Sequence, residues 1–316
     1  MIRQGTTAMR SWGNSKHLTQ AAYGVVKANP GMNRWTVRAA VHGAIVGGLG
    51  ALVGLAIVVA GAAIGETKGS EDVSGGGLVV MVLGGIVVLG AIVAGLAAAN
   101  IQLAGLVAAT DDVLHGRPID EDAARAAAHS RRGALTAWSA ISVAVGALVS
   151  FIRGDGDSGL VVTIVRALLA GLVAAVWAVV TTLVMPVIVL EQAGAVTAIK
   201  RSGHLIRSTW GEAVFGSVRI GARFALRYTL PGALLLVGGV ALGFAVGGPM
   251  IGLGAVLAVA GVVLLIIGAV QAATCRNVFG VALYRWTTGD GALGPFTEED
   301  LRGAVRTKDG RDRVAA

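Results

Sequence analysis

Residues 181–210 read TTLVMPVIVLEQAGAVTAIKRSGHLIRSTW: an uncharged apolar run stops at Glu191, and a segment mixing basic and apolar residues takes over. Working back from that point, Ala167 to Leu190 is 24 residues without a charge, and a hydrocarbon core is crossed by about 20 helical residues. Working forward, a helical period places Val196, Ile199, Ile206 and Trp210 near one face. Lys200, Arg201, His204 and Arg207 fall largely on the other, the pattern of a helix lying at a membrane interface. The stretch predicts a membrane exit.

The whole chain agrees with it. Over 316 residues it is 55% hydrophobic and 14% charged, with 48 glycines and a mean hydropathy of +0.75. That balance belongs to a membrane bundle and not to a soluble domain of the same length. Glycines at Gly43 and Gly47, Gly50 and Gly54, and Gly61 and Gly65 recur four residues apart inside an apolar run. Small residues at that spacing let helices approach closely where lipid supplies no hydrophobic drive to associate, so ordinary close packing is the expectation. A lone cysteine, Cys275, excludes an intrachain disulfide and a multi-cysteine metal site.

Six spans are expected: Ala39 to Ile64, Gly77 to Thr110, about Gly133 to Ile152, Ala167 to Leu190, about Tyr228 to Val246, and Met250 to Thr274. The fold class is therefore all-α, a polytopic membrane helical bundle with amphipathic cytoplasmic helices. By this reading residues 1–38 form a basic cytoplasmic segment, 39–274 the transmembrane domain and 275–316 a cytoplasmic tail with a short helix near Thr297. A helix through Leu18, Ala22, Val25 and Val26 is expected to lie along the inner membrane surface and to end at Asn29-Pro30-Gly31. Another is expected between Asp120 and Arg132, with acid at its start and base at its end. Arg166 is expected to snorkel to the outer interface.

With both termini inside, 23 of the 26 Lys and Arg fall in cytoplasmic pieces, which the positive-inside rule requires of a multi-pass protein of the plasma or inner membrane. The net charge of +8 thus points to a membrane surface, with anionic lipid and an unidentified protein as partners, and not to nucleic acid. The candidate anionic-lipid contacts are Lys200, Arg201 and Arg207, followed by Arg219, Arg223 and Arg227 four residues apart on one helical face.

Three stretches carry a resemblance: PVIVLEQAGAVTAIKRSGHLIRSTWGE (186–212), VALYRWTTGDGALGPFTEEDLRGAV (281–305) and residues 12–30. Together they resemble an uncharacterised prokaryotic family of multi-span membrane proteins known as a domain of unknown function, with Pro186, Glu191, Ser202 and Trp210 central to the likeness. The chain is more distantly similar to the membrane domain attached to some glycerophosphodiester phosphodiesterases. The resemblance implies architecture and location and carries no activity.

Chemistry is sought without result. Gly154-Asp155-Gly156-Asp157 matches the GxGD pattern of intramembrane aspartyl proteases, but no span offers a second aspartate, and Gly with Asp reads as a turn. The five histidines show no ligand spacing, and no phosphate loop occurs. Neither catalytic residues nor a cofactor or metal site are therefore expected. Asn100, Gln102, Thr181, Thr182 and Gln271 are read as hydrogen bonds between helices. The expectation is a non-enzymatic scaffold or partner-binding module, with a small-solute permease or channel as the alternative.

Overall fold

The computed structural model describes residues 17–65, 75–154, 160–210, 225–246, 250–299 and 301. Its elements are helical: α1, described over residues 17–28, then α2 (Met32–Gly65), α3 (Gly75–Leu114), α4 (Glu121–Ser130), α5 (Arg132–Arg153) and α6 (Leu160–Val180). After them come α7 (Val184–Leu190), α8 (Ala195–Trp210), a π-helical turn (Ala225–Thr229), α9 (Leu230–Val246) and α10 (Met250–Thr287). Among the described residues six stretches are long and apolar enough to cross a membrane: α2, α3, α5, Val162–Leu190 across α6 and α7, Arg227–Phe244 and α10. The protein is an all-α, multi-pass membrane protein. Its chain divides into two compact units, Val37–Ala109 with Asp120–His204 in one, and Met1–Thr36, Thr110–Ile119 and Leu205–Ala316 in the other.

In the first unit α2 and α3 meet along glycine. A Cβ built on Gly61 would sit 2.7 Å from the Met81 amide and 2.9 Å from the Gly77 carbonyl. One on Gly95 would lie 2.7 Å from the Gly47 Cα. Backbone touches backbone, so any side chain here would push the helices apart. The GxxxG spacings are thus used within the chain, while Leu49, Leu52 and Val59 on α2 and Leu83, Ile86 and Leu89 on α3 are exposed, as a lipid-facing surface is. Polar and aromatic pairs tie the later helices: Asn100 Nδ2 donates to Ser139 Oγ at 2.9 Å, and Trp138 stacks on Trp177 with centroids 5.6 Å apart. The Asp120 carboxylate caps α4 by accepting from the Asp122 and Ala123 amides.

In the second unit α9 and α10 repeat the glycine device. A Cβ on Gly239 would lie 2.5 Å from the Gly254 carbonyl, and one on Gly261 2.5 Å from the Leu236 amide. From Ala272 onward α10 changes character, with Thr274, Cys275, Val278 and Gly280 to Tyr284 all buried. The helix therefore does not stop at Thr274, where the uncharged run ends, but continues to Thr287. At about 1.5 Å per residue its 38 residues reach roughly 57 Å, well beyond a core of about 30 Å. Leu18, Ala22, Val25 and Val26 of α1 are buried in protein, so the apolar face expected to rest on the membrane serves as core. Asn29 ends α1 as the sequence indicates, its amide and its side chain both donating to the Val25 carbonyl.

Candidate functional site

The fourth span is broken. Pro186 has no amide to give the Thr182 carbonyl and its ring crowds that group, so a straight helix fails about one turn before it. The chain turns over residues 181–183, and the Val184 amide donates to the Thr181 carbonyl at 3.2 Å in place of the Val180 carbonyl of a continuous helix. The Thr181 and Thr182 hydroxyls donate back to Trp177 O at 2.7 Å and Ala178 O at 2.9 Å. The vacated Val180 carbonyl accepts from the Ser202 hydroxyl of α8. A side chain from the surface helix has thus replaced a backbone amide of the span.

Two further ties hold α8. Arg201 Nε donates to Glu191 Oε1 at 3.1 Å, and Arg131 Nη1 donates to the Gln192 carbonyl at 2.6 Å. Gln192 has a φ of 56°, a left-handed conformation costly for a residue with a Cβ, and it makes the corner between α7 and α8. The buried face of α8 is then Ala195, Ala198, Ser202, Leu205 and Ile206, whereas Val196 is 57% exposed. Of the face expected at the lipid interface, Ile206 is covered by protein, Ile199 is half-buried and Val196 stays exposed. A helical period reports which side is apolar but not what covers it. Outward point Lys200, His204 and Arg207, all exposed, and none has an acidic partner among the described residues.

The second unit holds a charged cluster of its own. Asp111, 6% exposed, receives Arg285 Nε at 2.7 Å on one carboxylate oxygen and Nη2 at 2.9 Å on the other. Arg285 also reaches Asp290 at 3.0 Å, Arg117 lies 3.4 Å from Asp111 and 2.9 Å from Asp112, and His115 Nδ1 sits 2.7 Å from the Asp111 carbonyl. A bidentate, internally paired carboxylate of this kind fixes the ends of α3 and α10 to each other. In the same unit the Thr36 and Thr274 hydroxyls are hydrogen-bonded at 2.7 Å.

Of the six candidate lipid contacts, Lys200, Arg201 and Arg207 lie on α8, with Arg201 paired to Glu191. Arg227 is exposed on the π turn with its guanidinium 5.8 Å from the Tyr228 ring. Arg219 and Arg223 lie outside the described residues, as does the Asp155–Asp157 stretch. The polar span residues divide. Asn100 bonds between helices, Thr181 and Thr182 bond within their own helix, and Gln271 Oε1 is buried without a hydrogen-bond partner among the described residues. Arg166 places its guanidinium against Gly154 at the end of α5, 2.9 Å from where a Cβ would stand. Ser202, Asp111 and Arg285 are the residues sequence reasoning left without a role. Pro186, with Thr181 and Thr182 five and four residues before it, is the local signal for the break, while nothing local announces a pair 174 residues apart.

Among the described residues no group of three His, Cys, Asp or Glu side chains could hold a metal ion. No curated protein and no solved structure matches the chain significantly. Nothing found links it to the membrane domain of glycerophosphodiester phosphodiesterases, and that more distant likeness stands unsupported. A family profile matches residues 76–294, taking in the charged cluster, the broken span and α8 but not the N-terminal stretch at 12–30. With more than half its length matched, the chain belongs to DUF6159, a family of unknown function.

Proposed function

We propose that the protein is a non-enzymatic membrane scaffold, both termini cytoplasmic, that holds a protein partner and engages anionic lipid headgroups through the basic face begun by α8. The observation that carries this reading is the orientation of α8. Its Ala195, Ala198, Leu205 and Ile206 are buried in the protein, and its exposed side offers Lys200, His204 and Arg207 without acidic partners among the described residues. A juxtamembrane Lys or Arg is drawn to an anionic leaflet by about 1 kcal/mol. Placing 23 of 26 basic residues on one side supports the cytoplasmic orientation.

The test is native mass spectrometry of co-purified lipid from wild type and from a variant with Lys200, Arg207 and Arg227 changed to Gln. A several-fold fall in the ratio of anionic to zwitterionic lipid is expected, and an unchanged ratio overturns the lipid contact. The orientation is checked separately with an impermeant thiol reagent on intact cells. Gly69→Cys should label and Thr307→Cys should not.

A permease is the second reading, favoured by the buried, unpartnered Oε1 of Gln271 within α10. Against it, the α2–α3 and α9–α10 seams are closed by backbone contact. Solute flux through reconstituted vesicles that Gln271→Leu abolishes would put the permease first.

A further inference from the structure

The geometry points to a coupled device in which α8 senses a lipid phosphate and, through the hydrogen bond from Ser202 to Val180, sets the bend of the fourth span. This rests on the reading of α8 as an anionic-lipid contact and adds what that contact does. A break in a helix that is capped by its own backbone has no handle, whereas this break is capped by a side chain of another element. Lys200 and His204 each stand two residues from Ser202, so on a helix of 3.6 residues per turn they project from the opposite side. A headgroup drawn to them bears on α8 from outside while Ser202 holds it from within.

The start of α8 is tied to the rest of its unit. There the Glu191–Arg201 ion pair and the hydrogen bond from Arg131 to Gln192 fasten the α7–α8 corner, and Gln192 is already in a left-handed conformation. The helical ladder is interrupted at residues 181–183, and a change in the angle of the span would fall there. Two arrangements follow. In one, Ser202 is engaged at Val180 and the span is bent. In the other, the hydroxyl is released and the turn is free to take a different angle. A lipid phosphate shifts the balance only if it binds α8 better in one of them, which makes the coupling measurable.

The experiment places spin labels at Leu168→Cys on α6 and Thr197→Cys on α8, both exposed positions, and leaves the buried Cys275 in place. Full-length protein is measured by pulsed electron resonance in nanodiscs of phosphatidylcholine alone and with phosphatidylglycerol, and lipid enrichment is read in parallel by native mass spectrometry. Wild type should enrich phosphatidylglycerol and shift its label distance by about 2 Å, the scale of helix shifts in switching proteins. Ser202→Ala should enrich the lipid equally without the shift, and Ser202→Thr, which keeps the hydroxyl, should restore it. Pro186→Ala, which returns an amide to Thr182, should give one distance in both lipids, and it carries the test if Ser202→Ala does not accumulate. Lys200→Gln with His204→Gln should lose enrichment and shift together. Enrichment in wild type without a shift, or a wild-type shift in Ser202→Ala, overturns the coupling and leaves the lipid contact standing. No enrichment in wild type overturns the contact and the coupling with it.

Discussion

The α9–α10 seam and the far end of α10 belong to the same helix and are held by opposite means. Along the seam, Gly239, Gly254 and Gly261 bring backbones so close that a Cβ would fall 2.5 Å from a neighbouring backbone atom. Beyond Ala272, association rests on buried Val278, Val281 and Leu283, on the Thr36–Thr274 hydrogen bond, and on Arg285 clasping Asp111 with two nitrogens. The solvent explains the difference. Between lipid tails a leucine gains nothing by touching another helix, so fit carries the contact. Past the hydrocarbon core water returns, and apolar burial with charge pairing becomes worth having.

The contrast is broken most severely at the seam. Gly239→Ala should destabilise the purified protein by about 3 kcal/mol, the upper range for overpacking. Gly238→Ala, where an added Cβ meets nothing within 4 Å, should be neutral or stabilise by up to about 1 kcal/mol through helix propensity. Equal thermal midpoints for the two would show that proximity is not what holds α9 to α10. The charged end comes next. Arg285→Met leaves the Asp111 carboxylate short of its main partner and should cost about 2 kcal/mol, below the fully buried range because the arginine is 25% exposed. Adding Asp111→Leu should recover part of that loss. A double variant worse than the single would mean that the charge pair itself, and not the stranded carboxylate, sets the energy.

Two smaller effects sharpen the boundary between the regimes. Gln271→Leu should raise stability by about 1 kcal/mol, because Oε1 is buried without a partner and an apolar replacement removes its desolvation cost. This reverses the modest loss expected if Gln271 bonded between helices. Thr274→Val should lower stability by about 0.6 kcal/mol, the average for an interhelical hydrogen bond in membrane helices. A loss of several kcal/mol there would place Thr36 and Thr274 with the charged cluster, as part of one cooperative network.

Which parts were legible follows from what each depends on. The spans depend on local composition, so all six were readable, as were the acidic start of α4 and the close packing at Gly43, Gly47 and Gly61. Span ends were less so: the first charged residue after an apolar run does not stop a helix, and α10 runs thirteen residues past Thr274. The amphipathic character of α8 was read correctly, yet of its expected lipid face Ile206 is covered by protein while Val196 stays exposed. Periodicity cannot name the neighbour. Asp111 with Arg285, and Ser202 with Val180, are contacts between distant positions whose partners a single sequence does not disclose.

The α2–α3 seam has a consequence in entropy. Leucine or methionine at such a contact would lose rotamer freedom on docking, up to about 2 kcal/mol for the longer side chains. Gly47, Gly54, Gly61, Gly77, Gly84 and Gly95 have no rotamers to lose, and their backbones are already fixed once each helix has formed. Pairing two inserted helices here therefore orders almost nothing that insertion left free. The hairpin is suited to close early in assembly, before the later spans, the α8 corner or the paired charges arrive to complete the structure.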